Sequence, residues 1–381
     1  MDINVVEAGD LTELYQGLYG APVDFIAIHG NWKALEHEAT VDPHMRHIHG
    51  ATSCLGAMTQ NGPTDRISAF VVRDPEGAYG TGIQAFDDDA RNAARQATLE
   101  ALAAADRVGE QPDLVWVSAT PGSEEEVLQG IESVLGQDIP VIGGSAADNA
   151  VAGDWFVFDA TSRYPSGVVV SVLFPSAPVS FAYQNGYSPT SLQGTVTRAD
   201  GRTIYEIDGQ PALNVYRDWT NGAVTGPSAT ETDAAILSES TFWPLGREIT
   251  QVGEVPFYLL AHPAKARADG AIDLFANVDV GEELTLMTGN ADVLVTRAGR
   301  VASLARTAGG LAGKPISGAL MIYCGGCMLS VQDRMQEVVA GMNDALGGAP
   351  FLGAFTFGEQ GALVRAGNRH GNLMISCIIF G

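Results

Sequence analysis

The chain has 381 residues, 46% of them apolar and 17% charged, with a net charge of −24 from 45 acidic against 21 basic side chains. That length excludes one small module, and that composition excludes a disordered chain. The charge repels phosphate backbones and anionic headgroups, so neither nucleic acid nor a membrane is expected as a partner. Four cysteines, at positions 54, 324, 327 and 377, do not make a disulfide framework and suit a reducing compartment. Residues 1–6 lack the basic and apolar regions of a secretory signal, and the most apolar stretch, 167–182, is interrupted by Pro175 and Pro178. A cytoplasmic protein without a transmembrane segment is expected.

In chain order, the predicted elements repeat one pattern three times: strand, helix, strand, small-residue loop. The first copy runs from an apolar strand at 24–29, through a short helix near Trp32 to His37, to a strand and loop at 47–53. If that strand opens at Arg46, His47 and His49 share a face. Residues 69–73 read as a further strand, and Asp87, Asp88 and Asp89 open a helix to about Ala105 with acids at its positive end. The second copy starts with the strand 113–118, a continuous apolar run of buried-strand length. Its helix opens at Ser123, which with Glu126 forms a capping box. Val127, Leu128, Ile131, Val134 and Leu135 follow at helical spacing, and Gly136 supplies the stop. The strand 140–145 closes this copy on Gly143, Gly144 and Ser145.

Residues 155–158, 168–174 and 195–198 read as strands and 211–219 as a helix. The stretch 220–253, rich in Gly, Ser, Thr and Pro, reads as the connection between halves 1–220 and 254–381. Residues 284–287 and 292–296 again look strand-like. The third copy passes from the strand 319–324 through a helix marked by Val331, Met335, Val338, Val339, Met342 and Leu346, with Gly347 as stop, to the strand 350–355. The expected fold is α/β, with repeated βαβ units, mixed sheets and two packed domains. Right-handed crossovers would place all three closing loops at one carboxyl edge, where ligands of open α/β sheets gather.

The stretch Glu206-Ile207-Asp208-Gly209-Gln210-Pro211-Ala212, leading into a helix, resembles the E-x-D-G-x-P-A end of a FIST amino-terminal domain. Phe355-Thr356-Phe357-Gly358-Glu359 resembles the F-x-x-G-E strand end of that family, and His370-Gly371-Asn372 its final H-N strand. With the loop at 143–145, the resemblance covers roughly residue 20 to the end. It implies an intracellular sensory module that binds a small polar metabolite, amino-acid-like, and signals through a separate partner such as a histidine kinase or a cyclase. It also implies an alternative, since it extends to stand-alone members that bind haem and sense nitric oxide for a partner histidine kinase.

The loops carrying Thr52, Ser53 and Cys54, and Gly143, Gly144 and Ser145, are rich in small residues that let backbone N–H groups face a ligand's carboxylate or phosphate. The plainer reading is tight turning and close packing. Asp148 and Asn149 could hold an ammonium or hydroxyl group. Phe357, Gly358 and Glu359 would put a carboxylate at the pocket edge, for a cationic group or a structural ion pair. His370 and Asn372 share one face of the last strand, as pocket support or as caps of the sheet.

Cys324 would line the pocket, or with Cys327 form a redox pair; a thiol enzyme or redox switch is a second alternative function. The family resemblance places an arginine where Cys327 stands, so anion binding by that arginine is not carried over. Four of the seven histidines fall at positions 37, 44, 47 and 49, and His29, His47 and His49 are candidate haem ligands; ordinary hydrogen-bonded histidines explain them as well. No second cysteine or histidine pair at metal spacing accompanies Cys324 and Cys327, so no metal is expected. No Gly-x-Ser-x-Gly, phosphate-loop or His-Glu-x-x-His pattern occurs, so catalysis is not expected.

Overall fold

The computed structural model describes residues 1–42, 44–45, 47–227, 232–363 and 365–381. Three six-stranded mixed sheets repeat one strand order. Each is centred on a parallel pair: Phe25–Gly30 with Ile48–Thr52 in the first sheet, Leu114–Ala119 with Val141–Ser145 in the second, and Gly318–Cys324 with Phe351–Thr356 in the third. An antiparallel strand flanks the first member of each pair: Ile67–Arg73, Gly167–Phe174 and Ile375–Phe380 respectively. Beyond it lies an edge strand, Asp2–Ala8, Ala78–Ala85 or Val179–Gln184. A hairpin flanks the second member, and here the sheets exchange chain.

The chain leaving the first pair at Thr52 builds the hairpin of the third sheet, Ala57–Thr59 with Gly62–Thr64. The chain leaving the second pair at Ser145 builds that of the first sheet, Val157–Phe158 with Arg163–Tyr164. The chain leaving the third pair at Thr356 builds that of the second sheet, Glu359–Leu363 with Gly367–Gly371. The exchange is cyclic, so sequence-distant segments share sheets and the two halves interlock.

The inner faces of the three sheets meet in one core that includes Phe25, Phe70, Trp116, Ile322, Leu352 and Phe380. Their outer faces are covered by helices: Ala90–Ala104 and Glu124–Leu135 on the second sheet, Ala291–Ala308 and Met335–Leu346 on the third, and Leu11–Leu18 with Trp32, Leu35 and Met45 on the first. Burial on both faces is why these strands read as unbroken apolar runs rather than alternating ones. A fourth, nine-stranded sheet, built largely from residues 188–288, folds around its own core of Val196, Ile204, Leu213, Tyr216, Leu245 and Leu284. Among the described residues no helix is long and apolar enough to cross a membrane.

The α/β class, the mixed sheets and all three parallel pairs agree with the sequence reading, but several local expectations do not. No helix forms between Trp32 and His37; residues 32–35 are turns, so the first copy is strand, loop, strand. Arg46 lies outside the described residues, and the strand after it opens at Ile48. Residues 292–296 are not a strand but the first turns of the helix Ala291–Ala308, capped by Asn290, whose side chain accepts from the Val293 N–H. Alternating Asp292, Val293, Leu294 imitates a strand over five residues, and only the longer spacing of Leu294, Ala298, Val301 and Ala305 reveals the helix.

The Ser123–Glu126 capping box is not formed: Ser123 makes no side-chain cap, while the Glu124 carboxylate accepts from Gly122 N. The third helix is split, with Gly325–Ser330 preceding Met335–Leu346. Gly347 ends it at φ 67°, the left-handed conformation a helix stop needs. Residues 228–231 of the supposed connection lie outside the described residues; the rest of that stretch is structured, with the strands Asp233–Ala235 and Leu245–Val252 and the helix Leu237–Ser240.

Candidate ligand-binding site

The carboxyl ends of the three parallel pairs are tied into a ring by backbone hydrogen bonds. Cys54 N donates to Phe355 O (3.0 Å), Phe357 N to Ser145 O (3.1 Å) and Ala147 N to Thr52 O (3.0 Å), so each strand end holds the next. The expectation that the three loops converge on one rim therefore holds geometrically. On one side of this ring the fourth sheet and the 372 turn leave a cleft of ≈ 240 Å³. The ring side contributes Asn149, Ala150, Val151, Cys324, Gly326, Leu329, Thr356, Phe357 and Gly358, and the opposite wall Leu237, His262, Phe275 and Asn372. Among the described residues no lysine, arginine, aspartate or glutamate lines it.

Of the residues expected at the pocket, Asn149, Cys324, Phe357, Gly358 and Asn372 line it. The others belong to the frame. The Thr52 hydroxyl accepts from Phe156 N, and the Ser53 hydroxyl accepts from Phe355 N. Cys54 is fully buried, and burial, reinforced by the charges of Asp148 and Cys324, pushes its thiol up to about 12. Gly143 and Gly144 are packing residues, since a Cβ at Gly143 would sit 1.8 Å from Val117 O and one at Gly144 2.5 Å from the Thr356 methyl. Ser145 donates to Glu124 (2.7 Å).

Asp148 does not reach for a ligand cation. Its carboxylate accepts from the N–H groups of Ala150, Val151, Ala152, Gly153 and Asp154, folding the segment that forms one lip of the cleft. Burial opposes that charge, but these donors outweigh it and hold the carboxyl below its usual range. Glu359 is likewise no pocket group: it is fully buried, with its oxygens taken by Thr356 Oγ1 and Met374 N. Burial, with the Cys324 charge second, pushes its pKa well above the ordinary value against those hydrogen bonds. His370 donates from Nε2 to Phe275 O and accepts at Nδ1 from Gln360, which pins the far wall to the second sheet.

The haem candidates do not fit. His29 lies edge-on to Trp116 in the shared interior, and burial lowers its pKa to about 4. His49 is bracketed by Ser171 (2.9 Å) and Ser118 (3.0 Å), which occupy both ring nitrogens. His47 precedes the strand Ile48–Thr52 at the end opposite the ring. None of the three lines the cleft, so no haem chemistry is derived. Glu124, Glu125 and His370 lie close enough together for a cation, but Arg202 occupies both carboxylates at 2.6 and 2.8 Å, which makes the group an ion-pair clasp between the second and fourth sheets.

The sequence reading missed His262 and Arg297. His262 follows the strand Val255–Ala261 and directly precedes Pro263; its Nε2 donates to Leu237 O (3.0 Å), so Nδ1 is left as an acceptor on the cleft wall. Burial lowers its pKa to about 4 despite that bond, and it is neutral at physiological pH. Arg297 was hidden by the strand reading of 292–296: only on a helix does it fall on the buried face with Leu294, Ala298 and Val301.

Two family models match the chain: the FIST N domain over residues 26–210 and the FIST C domain over residues 212–362. An uncharacterized protein of Methanocaldococcus jannaschii is 35% identical over 96 residues, 25% of this chain and 18% of that protein. An uncharacterized protein of Mycobacterium tuberculosis is 27% identical over 243 residues, 62% of this chain and 61% of that protein. The chain thus spans less than two thirds of the length of either relative. Among solved structures, a cyanuric acid hydrolase from A. caulinodans aligns over 99% of this chain and 98% of its own at 11% identity, with a TM-score of 0.37.

Proposed function

The chain belongs to the FIST family, whose domains are small-ligand sensory domains of signalling proteins, and from that premise we propose that it binds a small ligand in the cleft beside the ring of strand ends and passes occupancy to a signalling partner. The observation that carries this reading is a single ≈ 240 Å³ space walled by strand ends from two of the three repeats and by the fourth sheet, so that one guest touches elements otherwise far apart in sequence. A guest that bridges them biases how the fourth sheet sits on the ring, which is what a sensor needs to report.

The lining favours a compact neutral molecule, aromatic or largely apolar, with a polar edge for Asn149, Asn372 and His262. A zwitterionic amino acid finds no opposite charge on these walls, and burying an ammonium and a carboxylate without partners is costly. With His262 held neutral and no charged side chain facing the guest among the described residues, the cleft takes up such a neutral ligand without acid–base chemistry. The test is thermal shift of the full chain against matched panels of neutral heteroaromatic compounds and zwitterionic amino acids, with Gly326→Leu as the blocked control. A Cβ at Gly326 meets its neighbours no closer than 3.5 Å, so the variant fills the cleft without disturbing the frame. Stabilisation by neutral compounds that the leucine abolishes is the expected result; stabilisation by none, or an unchanged shift in the variant, defeats the reading.

A further inference from the structure

Behind the cleft wall lies a buried charge that the sensing proposal leaves unexplained. Arg297 is 2% exposed, and its Nη2 donates to Cys327 Sγ at 3.5 Å while its Nε and Nη1 have no hydrogen-bond partner. Its guanidinium lies 5.6 Å from the ring centroids of both Tyr187 and Tyr323, and no carboxylate forms an ion pair with it among the described residues. A buried cation held by two aromatic faces and one sulfur calls for that sulfur to be the anion.

Cys327 is fully buried, and Tyr187 Oη lies 3.7 Å from its sulfur. Cys324, three residues earlier, is 5% exposed and lines the cleft. Burial pushes the Cys324 thiol well up, and the charge of Cys327 pushes it further; at Cys327 burial also opposes ionisation, but the Cys324 hydrogen bond and Arg297 outweigh it and leave the thiol below its ordinary value. The sulfur that ionises more readily is thus the inner one, beside Arg297, and the accessible one is the outer. None of the four cysteines is in a disulfide.

We propose that Cys324 and Cys327 form a redox switch that takes up oxidising equivalents from a low-molecular-weight disulfide, with Arg297 as the positioning residue that holds the inner sulfur as a thiolate. The disulfide RSSR enters by the cleft. Cys324 passes its proton to the Cys327 sulfur and attacks RSSR, forming a mixed disulfide and releasing RS⁻. Cys327 then attacks the Cys324 sulfur, its proton leaving with the second RS group as RSH. Two electrons move from the cysteine pair to RSSR, one S–S bond is exchanged for another, and Arg297 loses the anionic sulfur it pairs with. A buried, uncompensated guanidinium destabilises the packing of the helix Ala291–Ala308 against Gly325–Ser330, which is how oxidation becomes a conformational signal. The inference goes beyond ligand sensing and requires only that Cys324 be reachable.

The experiment equilibrates the reduced full chain with defined ratios of 2-mercaptoethanol and its disulfide, a small uncharged pair that suits the uncharged cleft, then alkylates free thiols and maps the peptides by mass spectrometry. The expected result is a Cys324–Cys327 disulfide formed in the folded protein, with Cys54 and Cys377 remaining free thiols, and a lower thermal midpoint for the oxidised form. Arg297→Met is expected to slow exchange at neutral pH by at least about tenfold, with the rate recovering at high pH where the thiolate forms without help. Arg297→Lys, which keeps the charge, is expected to retain most of the rate and covers the case in which the methionine variant does not fold. Absence of the disulfide at every ratio, or a pH profile of exchange that Arg297→Met leaves unmoved, overturns the proposal. Failure of the thermal-shift panels leaves these outcomes unaffected, so the two readings fail separately.

Discussion

The first and third parallel pairs have the same pairing and the same neighbours in their sheets, yet one is sealed and the other borders the cleft. At the first pair, Thr52 and Ser53 spend their hydroxyls on backbone groups and His49 is bound on both sides, while the His29 ring is buried against Trp116. At the third, Cys324, Thr356, Phe357 and Gly358 face a space that the fourth sheet spans without filling. The difference teaches that a strand's carboxyl edge offers a site only where the neighbouring sheet spans it without filling the space beside it.

The largest expected effect separates the two regions by acid. His29 in the sealed interior and His262 at the cleft are both held near pKa 4, below the ordinary value of 6.5. The unfolded chain therefore takes up protons first as pH falls: stability is full above about pH 6.5, declines through the window down to about 4 and then levels, by roughly 3 kcal/mol for each histidine. Denaturant titrations across that range should show the slope, and His262→Gln should remove about a third of the histidine part, because burial lowers His49 as well. A flat profile breaks the comparison.

Gly143→Ala should cost about 3 kcal/mol in denaturant unfolding, because its Cβ meets the Val117 carbonyl and backbone cannot yield easily. The matched change in the third pair, Gly353→Ala, meets the end of the Met58 side chain at 2.6 Å and should cost only about 1 kcal/mol, since a methionine can move. Equal costs would mean that the two strand ends are packed alike. Asp148→Ala leaves five backbone donors without their acceptor and should destabilise by about 2 kcal/mol, with faster hydrogen exchange confined to residues 150–154. The smallest effect is expected at the surface, where Glu13→Gln breaks the exposed ion pair with Arg66 and should change stability by less than about 0.5 kcal/mol.

Much of the frame was legible because burial on both sides of a strand leaves an unmistakable apolar run, as at 114–119 and 318–324, and because Gly136 and Gly347 end helices by backbone conformation alone. Short amphipathic stretches were not legible: 292–296 alternates like a strand for five residues and turns helical only in its wider context. Polar residues at strand ends were legible as a group but not by role. Asp148 and Glu359 carry the same carboxyl group as any ligand-binding residue, and whether it meets a guest or a backbone N–H depends on where the chain goes next.

The sequence by itself determined the local periodicity: which runs become strands, where the small-residue loops fall, and that three such units recur. Only the tertiary structure decided that the hairpins are exchanged cyclically among the sheets, that Arg297 comes to lie against Cys327, and that His262 faces Cys324 across one cleft. The physical reason is range. Strand and helix propensity act over a few neighbouring residues, whereas a cleft wall and a buried charge pair are made by segments that meet only after the core has packed.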